Sequence, residues 1–132
     1  MRTEHTPDLD SVLSERGGHA YIVTVTEHGA PHAVYVPVRR EGAGLVAEVG
    51  AQTAANAAAR PRVSLLFPVR AEGDYSLIVD GAAVVESPAG SRRVRVTPTK
   101  VVLHRPGPPP DPASACGADC VPIAVPLAIG RP

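Results

Sequence analysis

"VGAQTAANAAARPRVSLLF", residues 49–67, joins the end of one apolar strand to the start of another through a short alanine-rich stretch. From Gln52 to Arg60 the stretch carries five alanines, the residue that loses least on entering a helix. Pro61 then closes it, because the proline ring disfavours helical backbone at the residue before it. A helix of about two to three turns is predicted. "RVSLLFPV" follows as a nearly continuous apolar strand, so the helix lies between two strands and leaves little chain for anything else.

Upstream, "HAYIVTVTEHGAPHAVYVPVRREGAGLVAEVG" reads as three strands separated by the turn signals "EHGAP" and "REGAG". Connections this short do not permit parallel crossovers, so the three strands form an antiparallel meander. Pro37 falls inside the second of them and marks an edge, a bulge or a bend. Before the strands, "TPDLDSVLSERGG" offers Thr6 or Asp8 as an N-cap, places Leu9, Val12 and Leu13 at helical spacing, and stops at Gly17-Gly18. This gives one short amphipathic helix.

Downstream, the loop "RAEGD" leads into "YSLIVDGAAVVE", long enough that Gly81 marks a bulge and not a hairpin tip. After "SPAGS", the run "RRVRVTPTKVVLHR" alternates charge with valine as a half-buried strand, bent or broken at Pro98. The order is helix, three strands, helix, then three or four strands. A mainly β fold follows, a small barrel of six to seven antiparallel strands with two short helices plugging its ends. The barrel domain occupies residues 1–105. From 106 to 132 the chain becomes a Pro-rich C-terminal arm, "PGPPPDPASACGADC" and then "VPIAVPLAIG", which lies across the domain, crosses to a partner subunit or stays disordered. Strands such as "VSLLFPV" and "SLIVDGAAVV" are apolar at both parities, so both faces of the sheet call for burial. The barrel interior covers one face, and a homodimer interface is expected on the other.

Composition narrows the partners. The formal net charge is zero, with 13 basic and 13 acidic residues, so the surplus of cations that nucleic acid or an anionic membrane surface would require is absent. Arg39-Arg40 and Arg92-Arg93-Arg95 are short clusters read as solvated strand ends. Tyr21, Tyr35, Tyr75 and Phe67 are too few to build a base-stacking surface. The opening "MRTEHTPDLDSV" lacks an apolar signal-peptide run, and no stretch approaches the roughly 20 apolar residues of a membrane helix. A soluble cytoplasmic protein with a small-molecule substrate, and with neither nucleic acid nor membrane as partner, is expected.

The order of these elements, together with several short words, resembles the pyridoxamine 5'-phosphate oxidase-like split β-barrels. The resemblance runs from about Ser11 to Pro106 and rests on "HAYIVTVTEHGAPHAVYVPV" as the first hairpin, on "NAAARPRVSLLF", and on "DGAAVVE" followed by "TPTKVVLHRP". It implies a homodimer holding FMN or the deazaflavin F420 between two barrels, and an oxidoreductase in which the cofactor carries the hydride chemistry. In flavin-binding relatives the segment before the asparagine holds the cofactor phosphate with a small polar residue and one or two cations. Here the matching positions are Gly50, Ala51, Gln52 and Thr53, without a cation. The resemblance therefore points to Gly50, Gln52, Thr53, Asn56, Arg60 and Arg62 as cofactor-binding residues, with the two arginines reaching in from the far end of the helix. It names no catalytic side chain. The alternative is a non-catalytic barrel that has lost the phosphate site and binds another small ligand or a protein partner. A third reading is a haem-binding barrel using one of the histidines.

Other constellations carry less. His28 and His32 flank the first turn and read as solvated histidines, and no metal site is assigned to them. Asp10, Glu15, Asp74, Asp80 and Glu86 include no close carboxylate pair, and neither a nucleophile elbow nor a glycine-rich phosphate loop is present. Hydrolase and kinase readings fall away. "CGADC" places three residues between Cys116 and Cys120, as thiols merely packed, as a disulfide if the chain turns, or as two metal ligands joined by Asp119 or His104.

Overall fold

The computed structural model describes residues 8–106 and 118–125. Its strands are β1 (His19–Val25), β2 (Pro31–Glu41), β3 (Gly44–Glu48), β4 (Arg62–Phe67), β5 (Ser76–Glu86), β6 (Arg93–Pro106) and β7 (Ala118–Ile123). Helix α1 (Leu9–Ser14) precedes β1, and α2 (Ala51–Ala59) lies between β3 and β4. The sheet order is β3-β2-β1-β4-β5-β6-β7, and a further β3–β6 pairing closes the first six strands into a ring. All the pairings are antiparallel.

Closure depends on the length of β6. Its first part, Arg93–Val96, pairs with β3, while Val101–Pro106 pairs with β7 along the same edge. Both stretches also pair with β5 on the other side. The strand is continuous through Pro98, which neither breaks nor ends it. Gly81 pairs with Pro98 and Asp80 with Lys100, so Thr99 is the extra residue of a bulge. The slip is visible in burial: Val94, Val96 and Pro98 face inward, then Val101 and Leu103 do. Gly81 lies opposite, as the sequence predicts for a bulge. In β2, Pro37 pairs with His19, one residue before the β3 pairing begins at Val38, so on that side it lies at an open edge.

The barrel interior is filled by one face of each strand. Ile22, Leu45, Leu65, Phe67, Leu77, Val79, Val94 and Val96 are all buried, and each such side chain contributes about 1.5–3 kcal/mol on leaving water. Asp8 caps α1, its carboxylate accepting from Ser11 N–H at 2.8 Å; Thr6 lies outside the described residues. Leu9 and Val12 of α1 enter the core, at the end of the barrel where β4 finishes and β5 starts. Helix α2 meets β1 at the opposite end, where Asn56 Nδ2 donates to Thr24 Oγ1 at 3.1 Å and Arg60 Nε donates to the Val25 carbonyl at 2.6 Å. Ala57 reaches the core, and the alanines let the helix sit close to the sheet.

The arm is partly in place. Residues 118–123 form β7 on the edge of β6, and Ile123 is buried in the core. Cys116 and residues 126–132 lie outside the described residues.

Candidate functional site

Two clefts lie at the α2 end of the barrel, and the residues expected at the cofactor divide between them. The first is a groove of about 710 Å³ on the outer sheet face, lined by Val23, Val25, Arg62, Ser64, Asp80, Ala82 and Lys100 among others. The register explains its composition. Val23 on β1 stands opposite Ser64 on β4, Ser64 opposite Asp80 on β5, and Asp80 opposite Lys100 on β6. Ser64 Oγ donates to Asp80 Oδ1 at 2.5 Å, which fixes the carboxylate beside the lysine. Arg62 and Lys100 are exposed at the rim, and valine and alanine line the floor between them.

The second cleft, also about 710 Å³, separates α2 from the β1–β2 turn and is lined by Gln52, Asn56, Arg60, Thr26, His28 and His32 among others. Gln52 Nε2 donates to Asn56 Oδ1 at 2.8 Å, so Asn56 links the helix surface to Thr24 inside. Arg60 spends its Nε on Val25. His28 is exposed and lies 3.4 Å from Glu27 Oε2, whereas His32 is half-buried, with its Nδ1 covered and unpartnered. The reading of both histidines as solvated therefore holds for His28 alone.

The six expected residues do not converge. Gly50 is the N-cap of α2 and makes no side-chain cap. Thr53 and Asn56 are only 3% and 1% exposed and point into the protein. Gln52 and Arg60 face the second cleft, while Arg62 faces the first. Lys100, opposite Arg62 across the groove, was missed by sequence reasoning. The signal was present: it is the only lysine in the chain, set inside a valine-rich strand.

Of the arginines read as solvated strand ends, Arg39, Arg93 and Arg95 are bound up at the seam where β3 meets β6, Arg40 pairs with Asp10 at 3.0 Å, and Arg92 is exposed. Arg95 donates to Glu86 at 3.0 Å and to Glu41 at 2.8 Å, Arg39 bridges Glu41 and Glu48, and Arg93 reaches Glu86. Hydrogen bonds from Arg95 foremost hold the carboxyl groups of Glu41 and Glu86 below their usual range, with Arg39 and Arg93 adding to the effect on Glu41 and Glu86 respectively. The same contacts raise Arg39 and Arg95. These groups are occupied with one another and serve the closure of the ring. On the β6–β7 pair, Cys120 Sγ lies 3.5 Å from His104 Nδ1. Among the described residues no three His, Cys, Asp or Glu side chains converge on a metal position, and no helix is long and apolar enough to cross a membrane.

No family model matches the chain. It is 40% identical over 123 residues to uncharacterized proteins of Mycobacterium bovis and Mycobacterium tuberculosis, covering 81% of this chain and 86% of each of theirs. Among solved structures, a pyridoxamine 5'-phosphate oxidase-like protein from Listeria innocua superposes with a TM-score of 0.63 at 17% identity, covering 71% of this chain and 95% of that one. An F420 reductase gives a TM-score of 0.58 at 20% identity over 72% of this chain and 97% of its own. The heme storage protein of Vibrio cholerae gives 0.56 at 16% identity over 70% and 92%. Sequence identity joins the chain to the two mycobacterial proteins, and the closed ring with its two end helices is the architecture of the solved structures. The chain therefore belongs to one family with its two mycobacterial relatives, and its fold is the split β-barrel of the pyridoxamine 5'-phosphate oxidase-like solved structures.

Proposed function

We propose that the protein is a flavin- or deazaflavin-binding oxidoreductase that holds FMN or F420 in the outer sheet groove, at an interface between two copies of the chain. The observation that carries this reading is the groove itself: an apolar floor of Val23, Val25 and Ala82 with Arg62 and Lys100 at its rim. A planar ring with a phosphate-bearing tail needs that combination. The inward-facing Thr53 and Asn56 take no part in holding it, since reaching a phosphate would unpack α2. When bound, the cofactor supplies the hydride chemistry. The chain's own residues cover the ring, pair with the phosphate and leave the reacting face open to a substrate.

Titration of the purified protein with FMN, riboflavin and F420 tests the reading. FMN should bind more tightly than riboflavin, which lacks the phosphate. Arg62→Gln should weaken FMN by about ten- to a hundredfold, the equivalent of a charge-assisted hydrogen bond, and leave riboflavin unchanged. A protein that ignores both FMN and F420 would overturn the proposal in favour of a non-catalytic barrel. A preparation that takes up haem and shows a Soret band would replace it with the haem reading, which the likeness to a heme storage fold favours.

A further inference from the structure

Glu86 on β5 and Arg93 on β6 stand opposite each other and bond at 3.0 Å, as unlike charges across a ladder do. Asp80 and Lys100 stand opposite on the same two strands. Yet among the described residues neither Lys100 nor Arg62, the two cations of the groove, pairs with a carboxylate. The bulge separates them. Thr99 is its extra residue, with Oγ1 donating to the Asp80 main-chain carbonyl at 3.2 Å, and a bulge re-aims the side chain beside it. The carboxylate of Asp80 is nonetheless held in place, because its Oδ1 accepts from Ser64 Oγ. Its Oδ2 has no partner and is not shut off from water, so it opens on the groove that Asp80 lines. An ionised carboxylate only accepts hydrogen bonds. Whatever fills the groove must bring it a donor.

We propose that Asp80 selects the cofactor's ring by accepting its imide N–H on Oδ2. The inference rests on the flavin reading of the groove and goes beyond it, since that reading uses only the apolar floor and the rim cations. An oxidised flavin ring carries one N–H, that of its imide, and its other heteroatoms are acceptors. The deazaflavin ring of F420 carries the same imide. A bond from that N–H to an anchored carboxylate is charge-assisted, and so stronger than one between neutral groups. The same negative charge repels a phosphate. It therefore favours the ring over the floor and leaves the phosphate-bearing tail to the cations.

Fluorescence titration with riboflavin and with 3-methylriboflavin, whose imide nitrogen carries a methyl group in place of hydrogen, tests the contact. The wild-type chain should bind the methylated ring about ten- to a hundredfold more weakly, the equivalent of one hydrogen bond to a charged group. Asp80→Ala should weaken riboflavin by a similar factor and leave the methylated ring unchanged, because both changes remove the same bond. FMN should lose less than riboflavin in this variant, since the carboxylate's repulsion of the phosphate goes with it. A residue that merely supported the fold would lower all three alike. Ser64→Ala releases the carboxylate without removing it and should weaken riboflavin by a smaller factor, which keeps the test decisive if Asp80→Ala does not fold. Where the wild type takes F420 and not flavins, F420 replaces riboflavin in both variants with the same losses expected. Failure of the flavin reading shows in the wild type alone, as no binding of FMN, riboflavin or F420, and overturns this inference with it. Where the wild type does bind, equal affinity for the methylated and unmethylated rings, or an Asp80→Ala variant that binds like the wild type, overturns the role of Asp80 and leaves the flavin reading standing.

Discussion

Gly81 stands where β5 and β6 come closest. A Cβ built on it would meet Val96 Cγ1 at 2.6 Å and the Thr97 carbonyl oxygen closer still. The obstacle is space and not backbone conformation, because the contact is with the neighbouring strand's own main chain, which cannot swing aside as a side-chain tip can. Gly81→Ala should therefore lower the free energy of unfolding by about 1–3 kcal/mol, read as a lower urea midpoint with an unchanged m-value. A variant as stable as the wild type would show that β5 and β6 part freely at the bulge. This residue was legible in the sequence, since a glycine inside a long apolar strand pattern has few other uses. Thr53 and Asn56 were not. The sequence shows polar residues on a short helix, but the face they occupy is set by Thr24 on β1, 32 residues from Asn56, which accepts the Asn56 amide. A lysine placed at position 53 would be buried and would unpack the helix instead of adding a cation to a phosphate site.

Among the elements, β6 does most to hold the barrel closed, because one of its edges serves two partners. Arg93–Val96 completes the ring with β3, and only beyond the bulge does β7 join. Ring closure is thus independent of β7, and a chain ending at Pro106 should still fold. What it loses is cover: Ile123 is 4% exposed and stands opposite Val101, itself buried. The loss for Ile123 alone is about 1.5–3 kcal/mol. Thermal unfolding of the truncated chain, followed by circular dichroism, should stay cooperative at a lower midpoint. Disappearance of the cooperative transition would make β7 part of the folding unit. The succession of strands and helices was readable from local signals, namely alternation, turn residues and Pro61. The β3–β6 pairing was not, because strands separated along the chain by α2, β4 and β5 leave no local mark of their contact. Nor was the slip at Thr99, which moves the inward face of β6 by one residue and puts Lys100 beside the groove.

Across the whole molecule, the register lines up a row of outward side chains that no single strand reveals. Tyr35 on β2 pairs with Tyr21 on β1, Tyr21 with Leu66 on β4, Leu66 with Ile78 on β5, and Ile78 with Val102 on β6. The two tyrosine rings meet at 4.8 Å between centroids. Tyr21, Tyr35 and Val84 are 39%, 55% and 60% exposed, which leaves large apolar groups in water on the face that carries the Arg62–Lys100 groove. A barrel that packs its interior with one face of each strand cannot cover the other, and a second copy related by a two-fold axis would present the same apolar row in return. The expected state is a dimer at micromolar concentration, held mainly by apolar area and so little affected by salt. Val84→Glu puts a charge into that face and should shift sedimentation toward the monomer while leaving thermal unfolding of the barrel cooperative. If the cofactor groove is completed by the partner, the same variant should also weaken FMN, and FMN should in turn tighten the wild-type dimer by mass action. A wild-type monomer at micromolar concentration would refute the interface. A dimer that survives Val84→Glu with FMN affinity intact would move the interface away from this face and leave the groove to bind its ligand from one chain alone.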